Sequence, residues 1–276
     1  MKKIIALILA AALMCAAFTG CSGSDKTEDK KTENTGNTSA GKTVADIKAA
    51  GKLVIATSPD FPPFEELQSD GSVVGIEIDI LNMICKELGV ELEIQQMDFE
   101  SVLPGVQAGK FDLGVSGITA NDERKKNALF TDPYCLAAQA IVVTESGSIK
   151  SKADLKGKSV AVQTGTTAES FCMAEGYKVN SYAANSDAEL SLVNGKVDAW
   201  VIDDLTAAEM VASYNESHDD KLVILSEAMT TEPYGFATKL GNDDLINEIN
   251  KILKKLLDDG TIASVFQKFE APYTQP

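Results

Sequence analysis

Phe111-Asp112-Leu113-Gly114-Val115-Ser116-Gly117-Ile118-Thr119-Ala120-Asn121-Asp122-Glu123-Arg124 is the stretch on which the fold turns. Its first five residues read as a short apolar strand, Ser116 and Gly117 as a small-residue turn, and residues 122–129 as a polar, helix-prone run. A strand that ends in such a turn and feeds a helix is the repeating unit of an α/β sheet. The same turn brings a backbone N–H, the Thr119 hydroxyl and Arg124 to the C-terminal end of a strand. That set suits a carboxylate, because guanidinium is a planar two-pronged donor and the hydroxyl and amide add aimed donors. Arg124 also fits a plainer reading, since Glu123-Arg124-Lys125-Lys126 is a charged run of the kind that faces solvent.

Outward from this stretch the chain keeps alternating. Strands are expected at 53–57, 92–95, 113–116, 159–163, 198–202, 222–225 and 235–238, and helices at 78–88, 102–108, 166–174, 188–194, 205–214 and 243–259. Ile80, Leu81, Ile84 and Leu88 fall on one helical face, and Gly89 and Gly260 stand where helices should stop. This alternation predicts parallel or mixed sheets covered by helices on both faces. The body of about 230 residues is long enough for two lobes. Extended stretches at 134–144 and 231–238 read as two crossover strands. They divide an outer lobe built from both chain ends, 44–137 and 234–276, from an inner lobe, 138–233.

In open α/β sheets a ligand sits beyond the C-terminal strand ends, so those ends supply the candidate residues. After the first strand come Ser58 and, in a proline-stiffened loop, Phe61. Phe61 reads as a flat platform or as core packing. The second strand runs into Phe99, a partner for the other side of a stack. The third end is Ser116, Gly117, Thr119 and Arg124. Gln163-Thr164-Gly165-Thr166-Thr167 runs from strand to helix, where Thr166 and Thr167 read as an anion site at a helix start or as ordinary caps. Asp203 ends a strand and would take a cation or cap the next helix. Glu65, Glu66 and Glu100 are expected to be mostly exposed, and Asp60 to be a rim charge.

Composition narrows the classes. The net charge is −16, and −18 once Lys2 and Lys3 are removed with a leader, which argues against nucleic acid. Residues 1–20 have a charged start and an apolar run too short to span a bilayer, ending in Phe18-Thr19-Gly20-Cys21. This resembles a bacterial lipoprotein signal, which implies cleavage before Cys21 and its lipidation. Residues 21–43 carry almost no apolar side chain and read as a flexible stalk from that anchor. Cys85, Cys135 and Cys172 remain, an odd number without metal-ligand spacing, and are expected to be buried or idle. His218 lies in a charged loop and is expected to be solvated.

Together the segments Ala56–Glu65, Gly75–Asp79, Met97–Pro104, Asp112–Pro133, Asp154–Thr167 and Asp198–Asp203 resemble, in order, the extracellular solute-binding proteins of amino-acid ABC transporters, family 3. The resemblance is to the glutamine and basic amino acid binders, and it covers the chain from Lys52 onward. It implies a two-lobed, type II periplasmic-binding-protein-like α/β fold with two hinge strands, closing on a ligand. It implies that Arg124, with Thr119 and the start of the helix at Thr167, pairs with an α-carboxylate. Asp203 and acceptors around Gly117 would take the α-ammonium, with Phe61 and Phe99 on either side of the side chain. Ser58 and Gln163 fall where members vary with substrate. The glutamine binder carries Lys at the place of Gln163, and several members carry Asp at that of Ser58. The expected partners are a polar or basic amino acid, the permease subunits of an importer, and the membrane through the lipid. A monomer without cofactor, metal or enzymatic chemistry is expected. Two alternatives share the scaffold: a dehydratase acting on cyclic amino-acid precursors, and a ligand sensor.

Overall fold

The computed structural model of the chain describes residues 42–227 and 229–276. The leader read at 1–20, the lipidation expected at Cys21 and the stalk expected up to residue 41 lie outside the described residues. Lys42 and Thr43, placed at the end of that stalk, are anchored: Lys42 pairs with the buried Asp112 at 2.9 Å, and Thr43 is a helix N-cap.

The chain enters through α1 (Val44–Ala50), where Thr43 and Asp46 form a reciprocal capping box. β1 (Lys52–Thr57) follows, then a small antiparallel sheet of β2 (Asp60–Phe61), β3 (Glu65–Leu67) and β4 (Val73–Val74). Next come α2 (Ile76–Leu88), β5 (Glu91–Gln96), α3 (Phe99–Gln107), β6 (Leu113–Gly114) and β7 (Ala128–Phe130). β1 is parallel to β5 and β6, the arrangement expected where a helix carries the chain back between strands.

The chain then crosses through β8 (Cys135–Ala137) into β9 (Gln139–Thr144), β10 (Ser159–Gln163), α4 (Thr167–Ala174), β11 (Lys178–Tyr182), α5 (Asn185–Val193), β12 (Ala199–Asp203), α6 (Asp204–Ser217) and β13 (Leu222–Ile224). It returns through β14 (Glu232–Tyr234), which pairs antiparallel with β8, and ends with β15 (Ala237–Lys239), α7 (Asp243–Asp258) and α8 (Thr261–Lys268). Two five-stranded sheets result, ordered β5-β1-β6-β15-β7 and β11-β10-β12-β9-β13. Each belongs to one α/β lobe, and the β8–β14 pair is the only ladder that joins the outgoing and returning crossings among the described residues.

Burial follows the sequence periodicity. α7 turns Leu245, Ile246, Ile249, Ile252, Leu253 and Leu256 inward, each contributing about 2 kcal/mol of burial. α2 buries Ile80, Leu81, Ile84 and Leu88, the face expected from the sequence. Cys85 and Cys172 are buried in helices and Cys135 in β8, all three as free thiols.

Two local expectations fail. Residues 122–129 do not form a helix. They make a single 3₁₀ turn at Arg124–Lys126, started by an Asn121 side chain that accepts from the Arg124 N–H at 2.9 Å, and then β7. Pairing of β7 with β15 overrides the weak helix propensity of the run. The extended stretch at 134–144 is broken at Ala138, whose N–H donates to Asp204 at 3.2 Å. No helix among the described residues is long and apolar enough to cross a membrane.

Candidate functional site

Between the lobes lies a small cavity lined by Phe61, Phe99, Ser116, Gly117, Thr119, Arg124, Gln163, Thr166, Thr167 and Asp203. Ten of the eleven expected site residues therefore surround one space. The eleventh, Ser58, is buried just behind it: its N–H donates to the Ser116 hydroxyl at 3.1 Å, and its own hydroxyl donates to Asp60 at 2.9 Å.

Phe61 is both platform and core. It is buried, stacks on Phe64 with centroids 5.7 Å apart, and leans on Tyr234 at 6.4 Å. It lies on Gly117 so closely that a Cβ there would stand 2.5 Å from the ring. Gly117 also has φ +53°, so glycine is demanded twice. Phe99 opens α3 and carries Arg124, whose Cζ sits 5.6 Å from the ring centroid.

Arg124 is not a solvated helix residue. It donates from Nη1 to the Thr119 carbonyl at 3.2 Å and from Nη2 across the cleft to the Gly165 carbonyl at 3.1 Å. Burial lowers its pKa from the usual arginine value, against the opposing pull of Asp203 and Glu232. None of the ion pairs within 4.0 Å among the described residues involves it. An enclosed guanidinium bonded only to carbonyls leaves donors for an anion.

The turn that seemed to offer donors has turned them inward. The Gly117 N–H donates to Glu77 at 3.1 Å, and the Thr119 hydroxyl donates to Glu232 at 2.7 Å. Buried carboxylates are stronger acceptors than neutral groups, so they capture these donors. In a trans peptide C=O and N–H point opposite ways, so the Ser116 carbonyl faces away from Glu77. The wall at 116–117 therefore presents an acceptor, while Arg124 and the start of α4 present donors.

At that start Thr166 is the N-cap: its hydroxyl accepts from the Glu169 N–H at 3.1 Å and donates to the Gln163 carbonyl at 2.7 Å. The Thr167 hydroxyl accepts from the Gln139 amide at 3.1 Å. The N–H groups of Thr167 and Ala168, in the first turn, have no intrahelical acceptor, the usual basis of an anion site. Asp203 makes no capping bond to α6. Its two oxygens accept instead from the Gln139 amide and the Tyr234 hydroxyl. Burial pushes its pKa up to about 8, and the Tyr234 bond opposes that rise.

Gln163 is fully engaged. Its Nε2 donates to Asp60 at 3.2 Å and to the Ala183 carbonyl at 3.0 Å, while Oε1 accepts from Asn185 at 3.1 Å. Asp60 is no mere rim charge. It is half-buried and accepts from the Asn185 N–H at 2.7 Å, at the first turn of α5, so it ties the two lobes together. Burial raises its pKa above the usual carboxylate value, opposed by these bonds. Glu66 and Glu100 are exposed as expected, but Glu65 is wholly buried beside Glu77. His218 is exposed at the end of α6 and stacks on Tyr214, centroids 4.0 Å apart.

Sequence reasoning missed Glu77, Tyr234, Gln139, Glu232 and Asn185. Glu77 lies inside a segment that carries the family resemblance, and Tyr234 and Glu232 lie in the returning extended stretch; both placements were available signals. Gln139 and Asn185 carried none. No group of three metal-ligating side chains exists among the described residues.

Known proteins resemble this chain over most of its length. Residues 53–271 match the family described as bacterial extracellular solute-binding proteins, family 3. The chain is 32% identical over 274 residues to the arginine-binding extracellular protein ArtP of Bacillus subtilis, covering 98% of each chain. It is 30% identical over 227 residues to the L-cystine-binding protein TcyJ of Escherichia coli K12, covering 81% of this chain and 84% of that one. A crystal structure of a mutant of ArgBP from T. maritima superposes with a TM-score of 0.78 at 38% identity, covering 83% of this chain and 99% of that chain.

Proposed function

The chain belongs to the bacterial extracellular solute-binding proteins, family 3, and from that membership we propose that it is a monomeric extracytoplasmic receptor that captures one amino acid and delivers it to an ABC importer. It is tethered to the membrane by lipid on Cys21, and the bodies 44–137 with 234–276, and 138–233, close on the ligand. Binding is the whole task, with no turnover. The observation that carries the reading is the pair of complementary groups on one cavity: Arg124 with donors free for a carboxylate, and Asp203, a carboxyl that an ammonium would hold ionised. Such a pair complements the head group of an α-amino acid.

The ligand's side chain is polar or basic. Support comes from relatives named for arginine and cystine, and from the Asp60 carboxylate standing behind Ser58 and Gln163. Asp203 is held between Gln139 and Tyr234, which favours fixed head-group recognition over proton transfer to a leaving group. A thermal-shift screen against the twenty amino acids, cystine and ornithine tests the reading. A ligand present at about 100 times its Kd adds roughly 2.7 kcal/mol to stability. A clear rise in melting temperature with a polar or basic amino acid is expected; no rise with any of them overturns the proposal.

A further inference from the structure

Directly behind the Ser116–Gly117 wall, outside the cavity, two carboxylates are buried together. Glu65 on β3 and Glu77 on α2 are both fully inaccessible, and no ion pair among the described residues reaches either one. Their hydrogen bonds are unequal. Glu77 accepts from the Tyr134 hydroxyl at 2.5 Å through Oε1 and from the Gly117 N–H at 3.1 Å through Oε2. Glu65 accepts from the Ser116 hydroxyl at 2.9 Å through Oε1, while its Oε2 is buried without any donor.

Two adjacent carboxylates without a cation cannot both stay ionised in a dry site. A single proton on the orphaned Glu65 Oε2 resolves every shortage, because it makes that oxygen a donor and Glu77 its acceptor. The two side chains grip consecutive residues of one turn, Glu65 the Ser116 hydroxyl and Glu77 the Gly117 N–H. The donors then assign the charge: Glu77 receives Tyr134, Gly117 and the Glu65 O–H, and Glu65 stays neutral.

We propose that Glu65 and Glu77 share one proton as an acid–carboxylate pair, and that the charged member, Glu77, positions the Ser116–Gly117 wall of the cavity. Its grip on the Gly117 N–H fixes the peptide that turns the Ser116 carbonyl away from Glu77. Glu65 extends the hold to Ser116, whose hydroxyl also receives the Ser58 N–H. These are positioning residues, since neither lines the cavity.

Burial, the charge of Glu77 and, from β2, that of Asp60 hold Glu65 well above the usual carboxylate range, with only the Ser116 hydrogen bond opposing them. Burial raises Glu77 as well, but its hydrogen bonds with Glu65, Tyr134 and Gly117 all pull it back down. Tyr134, just before β8, donates to Glu77, and burial and that charge hold the Tyr134 hydroxyl and the Cys135 thiol well above their usual values. No cation opposes the rise.

The test uses full-length protein without ligand, so it stands apart from the amino-acid reading. With ¹³C-labelled glutamate, one carboxyl carbon should keep its protonated chemical shift at pH 7 in the wild type and lose it in Glu65→Gln. The Gly117 amide proton should sit at the same shift in Glu65→Gln and move upfield in Glu77→Gln, which replaces a charged acceptor by a neutral one. Because native Glu65 keeps a proton that the unfolded chain releases, the wild type loses stability as pH rises above the ordinary glutamate range. Its unfolding constant should therefore rise about tenfold per pH unit relative to Glu65→Gln, beginning near pH 5. All glutamates ionised at pH 7, or a Gly117 amide indifferent to Glu77→Gln, would overturn the proposal. Should Glu77→Gln fail to fold, the carboxyl shift and the pH dependence of Glu65→Gln still decide it.

Discussion

Arg124 reaches across the cleft and donates from Nη2 to the carbonyl of Gly165, 3.1 Å away, while its ring neighbour Phe99 supports the guanidinium from the same side of the chain. This contact joins a residue after β6 to the turn before α4, so the lobes meet at the group that the proposed function assigns to the ligand carboxylate. The cavity shown here is thus a closed one, and head-group recognition and closure share a residue.

Arg124→Ala should abolish amino-acid binding with little change in fold. A buried charged pair broken on one side costs about 3–5 kcal/mol, so calorimetry with the amino acid that gives the largest thermal shift should show a Kd weakened at least about 100-fold. The melting temperature without ligand should move by no more than a few degrees. Unchanged affinity would sink the assignment.

Asp203 predicts a pH dependence of opposite origin to that of an ordinary surface carboxylate. Burial raises its pKa to about 8, so below that pH it holds a proton that an incoming ammonium must displace. Affinity should rise about tenfold per pH unit toward pH 8 and level beyond it, with proton release visible as a buffer-dependent binding enthalpy. Stability of the empty protein runs the other way. The proton bound in the native state favours folding below the unfolded carboxylate value near 3.8, and that contribution is lost as pH rises through about 8. Asp203→Asn should flatten both curves.

Asp60→Asn tests closure apart from head-group contact, because Asp60 does not line the cavity. It removes a charged acceptor of the Asn185 N–H and the Gln163 amide, worth roughly 1.5–3 kcal/mol. Affinity should fall about tenfold to 100-fold, mostly through faster dissociation. Small-angle scattering of the empty variant should give a larger radius of gyration than the wild type. An unaltered dissociation rate would contradict the latch.

Gly117→Ala combines a left-handed backbone at φ +53° with a Cβ 2.5 Å from the Phe61 ring and 3.3 Å from Tyr234. The conformational cost of about 1–2 kcal/mol and an overpacking cost of similar size should lower the midpoint of chemical unfolding by about 2–4 kcal/mol equivalent. Ligand affinity should fall as well, since the displaced ring is part of the cavity wall.

The three body cysteines should resist a thiol reagent in the native state. Burial pushes Cys85 up to about 11 and Cys172 up to about 12, and Cys135 is raised further by nearby Glu77. Thiolate, the reactive form, is then scarce at neutral pH. Peptide mapping after labelling should find all three modified only in denaturant.

Much of the site was legible because its residues end strands, and strand ends in an α/β sheet converge. Phe61, Arg124, Gln163 and Asp203 were found that way, from positions that are local in sequence. The unread partners are those whose meaning is a contact. Glu65 looked like one more surface carboxylate until α2 placed Glu77 against it, and Asp60 looked peripheral until α5 brought the Asn185 N–H within 2.7 Å. The 122–129 run failed differently: its composition favours helix, and only the β15 partner makes part of it a strand.

The sequence by itself determined the alternation of strands and helices, the division into two lobes, and the set of residues that face one cavity. Periodicity, turn residues and strand-end position act over a few residues and can be read in line. The tertiary structure alone decided which way each polar group points. Gly117 and Thr119 gave their donors to buried carboxylates on α2 and β14, and Arg124 kept its own for the cleft. Hydrogen-bond direction depends on which acceptor the fold brings within about 3 Å, and no local pattern of residues encodes that distance.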